Sequence, residues 1–175
     1  MRRVSVVGNA GSGKTRLARA LAARLGVPHV ELDSIFHQPD WTQLPTDEFR
    51  RRVRDAVTGD GWVIDGNYSA VRDLIWERAD TVIWLDLPRP LVMWQVVART
   101  LRRMATREEL WNANRERWRN LLDADESIVA WAWAQHAKYR DRYATAAAAP
   151  EYRQLTFIRL ASRAEAARFL RSLSR

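Results

Sequence analysis

The sequence predicts an α/β fold of three layers, with helices on both faces of a five-stranded parallel sheet, and three observations predict it. Short β-branched and apolar runs alternate with segments of helical periodicity along the chain. One run, Thr81–Leu87, is apolar almost throughout, as a strand covered on both faces must be. Between the first run and the first helical segment, Gly8 to Thr15 is rich in glycine and small residues, so that strand, loop and helix follow one another. Strands separated by helices pair in parallel, with right-handed crossovers.

Taken in order, Val4–Val7 is the first strand, and Leu17, Ala18, Leu21, Ala22 and Leu25 give the first helix its apolar stripe. Gly26 and then Pro28 end that helix, and His29–Leu32 forms a second strand finishing at Asp33. Ser34–Pro45, with two prolines and Trp41, is expected as an irregular loop. Thr46, followed by Asp47 and Glu48, is the expected N-cap of a helix that runs to about Thr58, where Gly59 stops it. Trp62–Asp65 is a third strand ending on an acid, and Ala70–Arg78 a short helix. Pro88 and Pro90 open a helix whose apolar face reads as Leu91, Trp94, Val97, Ala98 and Leu101, leading into a basic stretch from Arg99 to Arg107. Thr106 and Glu109 match a capping box for a helix from Arg107 to about Leu122, and another helix spans roughly Glu126 to Ala146. Leu155–Leu160 is the fifth strand, and Ser162 with Glu165 caps the last helix. No internal repeat or linker interrupts this order, so residues 1–175 are expected to form one domain.

With 47% apolar and 29% charged residues, the chain is too hydrophobic to be disordered and too polar for a membrane protein. A chain of 175 residues hides roughly two thirds of the surface its unfolded form exposes, so neither a disulfide nor a structural metal is needed to hold it. The absence of cysteine excludes thiol catalysis, iron–sulfur clusters and cysteine zinc sites, and His29, His37 and His136 stand at unrelated spacings. The net charge of +8 points to an anionic partner. Of the 29 basic residues 27 are Arg, which leaves Lys14 and Lys138 as the only lysines and makes the place of Lys14 notable. Nowhere do about 18 apolar residues run together, and the apolar run after Arg3 is too brief for a signal peptide, so a cytoplasmic location is expected.

Gly8-Asn9-Ala10-Gly11-Ser12-Gly13-Lys14-Thr15 satisfies G-x-x-x-x-G-K-[ST] in full, after a strand and before a helix. Its glycines let backbone N–H groups converge on phosphate oxygens, and the helix that follows adds the positive end of its dipole. Lys14 is expected to reach the β and γ phosphates of ATP and the Thr15 hydroxyl to ligate Mg²⁺. The fold class therefore narrows to a P-loop NTPase fold.

From these motifs the chain resembles the nucleoside monophosphate kinase and shikimate kinase group of small P-loop phosphotransferases. It resembles more closely the adenylate-kinase-like proteins called topology modulation proteins. The likeness runs over nearly the whole length: the early P-loop, Glu31-Leu32-Asp33 with Phe36, Pro39 and Trp41 behind it, Val63-Ile64-Asp65-Gly66-Asn67-Tyr68, and Thr81 to Pro88. It implies a strand order of 2-3-1-4-5. Adenylate kinases carry Asp-Gly-Phe-Pro-Arg where Asp65-Gly66-Asn67-Tyr68-Ser69 stands, so Ser69 replaces the arginine that grips a nucleoside monophosphate. Arg72, three residues on, is placed to approach the same region. The likeness also implies a lid, about residues 99–122, that closes over ATP and supplies arginines. Arg99 falls where adenylate kinases have a lid-flanking arginine, Gln95 replaces the one a turn earlier, and Arg102, Arg103 and Arg107 stand available.

Ligands of open parallel sheets bind beyond the carboxyl ends of the strands, which brings Asp33, Asp65 and Asp86 to the relevant edge. By resemblance, Asp65 holds Mg²⁺ through water, and Asp33 matches the shikimate kinase acid that orients or deprotonates the acceptor hydroxyl. Anchoring of its own loop is the alternative for Asp33, and helix capping the equal alternative for Asp86. Of the nine tryptophans, Trp62, Trp84 and Trp94 read as core and Trp111 and Trp118 as one packed helix stripe, leaving Trp41 as a wall of the acceptor site. The sequence thus points to transfer of the γ-phosphoryl of MgATP to a small anionic or hydroxyl-bearing acceptor, catalysed by Lys14, Asp33 and one or more of Arg99, Arg103 and Arg107. A nucleic-acid-associated P-loop ATPase or DNA-topology-related binding protein is the rival. The scattered basic residues and the lack of a DNA-binding motif lead us to expect only weak, non-specific nucleic-acid binding.

Overall fold

In the computed structural model, which describes residues 1–106, 112 and 128–173, successive side chains of the first strand serve opposite faces of the sheet. Strand β1 (Arg3–Gly8) turns Val4 and Val6 toward Leu17, Ala18, Leu21 and Ala22 of α1 (Lys14–Leu25). Val7 faces the other side, and there Ser5 accepts a hydrogen bond from Trp76 Nε1 at 3.3 Å. Both faces of the strand are buried. Gly26, with φ 64°, ends α1 in the left-handed conformation expected of it.

The chain continues as β2 (His29–Glu31), α2 (Leu32–Phe36), α3 (Thr46–Ala56), β3 (Trp62–Asp65), α4 (Ser69–Arg78), β4 (Thr81–Leu85), α5 (Arg89–Thr106), α6 (Ile128–Ala148), β5 (Thr156–Leu160) and α7 (Arg163–Ser172). All five strands are parallel, as the sequence predicts, in the order β2-β3-β1-β4-β5 that the resemblance implies. The register aligns Glu31 with Asp65, Asp65 with Val6, and Gly8 with Leu85, so the acids and the glycine loop emerge along one carboxyl edge. On one face α3, α4 and α6 bury Phe49, Val53, Trp76 and Tyr143 against Ile64, Val82 and Trp84; on the other, α1 and α7 cover Val63, Ile83 and Leu85. Among the described residues no helix is long and apolar enough to cross a membrane.

Four local expectations are corrected. The stretch expected as a loop from Ser34 holds most of α2 and a 3-10 turn at Pro39–Trp41. Thr46 is the first residue of α3 rather than its cap; Pro45 takes the cap position with no side-chain bond. Asp86 caps nothing that the described contacts show: its buried carboxylate pairs with Arg140 Nε at 3.0 Å and with Arg159, tying α6 and β5 to the end of β4. The fourth correction concerns α5. Its buried residues include Val92, Val96 and Thr100, whereas Trp94 is 66% exposed and Val97 and Leu101 also face out. Two apolar stripes share this helix, and the valine stripe wins because it must lie close against the backbone of the glycine loop, where an indole would not fit. The expected capping box at Thr106 and Glu109, and the helix after it, lie outside the described residues.

The cap of α7 is as expected: Ser162 Oγ accepts from Glu165 N–H at 3.1 Å, and Glu165 Oε2 accepts from Ala161 N–H at 2.7 Å. Ser162→Ala should therefore lower stability by about 1 kcal/mol. Urea unfolding with an unchanged m-value checks this, and a loss below about 0.3 kcal/mol would show that the cap contributes nothing.

Candidate functional site

The glycine loop is shaped by two of its own residues. Gly11, at φ 76°, has no room for a side chain, since a Cβ would run into Val96 Cγ2 of α5. Gly13, at φ 90°, is the opposite case: a Cβ there would meet nothing within 4 Å, so the loop opens onto space at the start of α1. Helix α1 begins without a side-chain cap and without an acid in its first turn, which leaves its N-terminal N–H groups and dipole directed at that space. Among the described residues the buried Ser12 hydroxyl also finds no hydrogen-bond partner. An anion with several acceptor oxygens fits this cradle.

The loop is clamped from behind. Asn67 accepts from Gly8 N–H at 3.2 Å and donates to the Gly8 carbonyl, bonding like a neighbouring strand, while Tyr143 of α6 donates to the same Asn67 oxygen at 2.9 Å. Asn9 donates through its amide to the Ala132 carbonyl of α6 at 2.7 Å and accepts from Ala10 N–H at 2.9 Å. Helix α6 thus fixes the loop at two points.

Lys14 donates to the Asn9 carbonyl at 3.0 Å. Desolvation holds its ammonium below the usual lysine pKa, and the charge of Arg99 pushes the same way, against the carboxylates of Asp33, Asp65 and Glu31. Thr15 Oγ1 donates to Asp65 Oδ2 at 2.7 Å and lies 3.3 Å from Glu31 Oε1. Asp65 Oδ1 meets His29 Nε2 at 2.7 Å, and Glu31 pairs with Arg19 at 3.1 Å. Asp33 has a different partner, its Oδ1 accepting from the Tyr68 hydroxyl at 2.7 Å. Burial first, then the charge of Asp33 and the hydrogen bond to it, raise the Tyr68 pKa, so the phenol remains a donor. His37 Nε2 stands 3.3 Å from the same hydroxyl, its pKa lowered by burial.

The structure brings together most of the residues expected at the site: the whole loop from Gly8 to Thr15, Asp33, Asp65 and Arg99. Trp41 is half-buried with its ring edge-on to His37 at 5.4 Å, on the Asp33 side. Arg103 continues the stripe Val92, Val96, Arg99 at helical spacing, whereas Arg102 is exposed. Arg72 holds its guanidinium 5.5 Å over the Trp76 ring. Arg107, Trp111 and Trp118 lie outside the described residues. Asn112, within the expected lid, donates to the His37 carbonyl and at 3.5 Å to that of Ser34, which sets this residue against the Asp33 side. Sequence reading missed His29, Glu31, His37, Asn67 and Tyr68 as partners of the site, although the quoted runs Glu31 to Asp33 and Asp65 to Tyr68 beside strand ends included three of them.

No protein-family model matches the chain, and no curated protein does. Solved structures do match it. A shikimate kinase from Bacteroides thetaiotaomicron superposes with a TM-score of 0.61 at 16% identity, covering 98% of this chain and 96% of that one. A shikimate kinase from Acinetobacter baumannii, in complex with shikimate, gives 0.57 at 17% identity over 99% and 90%. The fold is that of the shikimate kinases. The finer likeness to topology modulation proteins rests on the quoted residues alone.

Because the folded Lys14 pKa lies below its unfolded value of about 10.5, the unfolded chain binds more protons between the two values, and stability rises with pH there. Denaturant unfolding without nucleotide should show the wild type gaining stability relative to Lys14→Met as pH climbs toward 10.5. Parallel curves for the two proteins would mean that Lys14 is not desolvated.

Proposed function

We propose that the protein is an ATP-dependent phosphotransferase that moves the γ-phosphoryl group of MgATP to a small hydroxyl-bearing acceptor. One observation carries this reading: two acids with different partners, Asp65 on the Thr15 hydroxyl and Asp33 on the Tyr68 hydroxyl, both act on Lys14. A metal-side acid and an acceptor-side acid across a lysine are what in-line phosphoryl transfer requires. The shikimate kinase fold supports the same class of reaction.

Mg²⁺ suits the oxygen donors present, a threonine hydroxyl 2.7 Å from a carboxylate, because this ion takes few protein ligands and completes its shell with phosphate and water. Thr15 and, through water, Asp65 would hold it. Bound there, it neutralises charge on the β and γ oxygens. The backbone of Gly8 to Thr15 cradles the phosphates, with Gly13 admitting close approach. Anionic phosphate favours the charged form of Lys14 against the desolvation that lowers its pKa, so ATP and the ammonium suit each other. Asp33 takes the proton of the acceptor hydroxyl, and Trp41 walls the acceptor. Arg99 and Arg103, on the site face of α5, meet charge that spreads over the transferred group, with Arg107 further along the lid segment of about 99–122. For Arg72 to reach the acceptor it must leave the Trp76 ring.

Acceptor-dependent ADP release across hydroxy acids, nucleosides and nucleotides tests the reading. Lys14→Ala should lower turnover by about a hundredfold or more. Asp33→Asn should lower turnover while leaving MgATP affinity within about twofold, and Asp65→Asn should weaken metal-dependent ATP binding whatever the acceptor, as followed by calorimetry with and without Mg²⁺. Equal defects in the two would refute the division of roles. Turnover stimulated strongly by duplex DNA near physiological salt, and by no small acceptor, would overturn the proposal as a whole.

A further inference from the structure

On the kinase reading just given, we propose that Tyr68 is the positioning residue of the acceptor site, its phenol pinning Asp33 Oδ1 so that Oδ2 faces the acceptor hydroxyl. The phenol reaches Asp33 at 2.7 Å, and its ring is fixed independently of that bond, 4.7 Å from the Phe36 ring of α2 and 5.2 Å from the Phe49 ring of α3. A carboxylate has a broad, two-fold terminal torsion and does not choose an orientation by itself. Left unpinned, Asp33 would swing toward the Lys14 ammonium, whose charge it already feels, and each group would neutralise the other. A donor seated in an aromatic cluster prevents this.

His37 completes the arrangement, with Nε2 3.3 Å from the Tyr68 oxygen. Its ring is held in turn by the edge of Trp41, which comes from a turn where Asp40 and Trp41 both adopt positive φ, 56° and 57°. Among the described residues, titratable groups that interact with the charge of Asp33 include Lys14 from α1, His37 after α2, Tyr68 before α4 and Tyr139 from α6. Of these, Tyr68 is the one whose hydrogen bond to the carboxylate is direct. In the step it serves, the acceptor oxygen bonds to the γ phosphorus as the bond to the bridging oxygen of ADP breaks, and the hydroxyl proton passes to Asp33 Oδ2.

Tyr68→Phe keeps the ring between Phe36 and Phe49 and removes only the donor. In the variant, kcat should fall about tenfold to a hundredfold while MgATP affinity stays within twofold. In the ligand-free protein at neutral pH, the ¹³C resonance of the Asp33 carboxylate should move on the substitution, because the carboxylate has lost a direct hydrogen bond. Added to Asp33→Asn, the substitution should cause no further loss of turnover. An unmoved Asp33 carboxylate resonance, a kcat within twofold of wild type, or additive losses in the double variant overturns the proposal. Should the wild type turn over no acceptor, the kinase reading falls. The Asp33 carboxylate resonance then decides the pinning on its own, a moved signal supporting it and an unmoved one refuting it.

Discussion

A lysine ammonium drawn out of water at the carboxyl edge of a parallel sheet is the constraint on which the rest of this structure depends. A desolvated charge needs compensation, and here it comes from the ends of two neighbouring strands: Glu31 and Asp33 at and just beyond the end of β2, and Asp65 closing β3. Each acid is in turn held by a partner from elsewhere, Arg19 on Glu31, His29 on Asp65 and Tyr68 on Asp33. The site is therefore a balanced set of charges before any ligand arrives, poised so that an added polyanion favours the charged form of Lys14. On the proposed function, this is the preorganisation that phosphoryl transfer calls for, where the protein's work is mainly electrostatic.

The helices on one face make the balance rigid. Helix α6 runs along the edge and bonds to it four times: Ala132 to Asn9, His136 to the Leu87 carbonyl at 2.9 Å, Arg140 to Asp86, and Tyr143 to Asn67. These residues recur at about one-turn spacing, so a single stripe of α6 serves both the glycine loop and the end of β4. Helix α5 adds the close approach of Val96 to Gly11 and then carries Arg99 toward Lys14 on the same stripe. Movement of either helix would be felt at the loop backbone. The outer stripe of α5, with Trp94, Val97 and Leu101, takes no part in this and faces away.

The strands, the glycine loop and the candidate acids were legible in the sequence because each depends on short-range pattern, whereas the strand order came from the family resemblance. Apolar runs specify strands, glycine at fixed spacing specifies a phosphate cradle, and an acid at a strand end reaches the carboxyl edge wherever that strand sits. The partners of those acids were not legible. Nothing near Tyr68 announces Asp33, 35 residues away, and Asn67 reads as a turn residue until Gly8, 59 residues back, is seen against it.

The sequence by itself determined what chemistry is present and at which end of the sheet it gathers, since backbone periodicity and loop geometry are local properties. Only the tertiary structure decided which face of α5 turns inward, which residue holds each acid, and that Asp86 is an ion-pair anchor rather than a cap. Those choices are settled by packing between elements distant in the chain. The two stripes of α5 differ in whether they fit against Gly11, and a carboxylate takes whichever donors the fold brings to it.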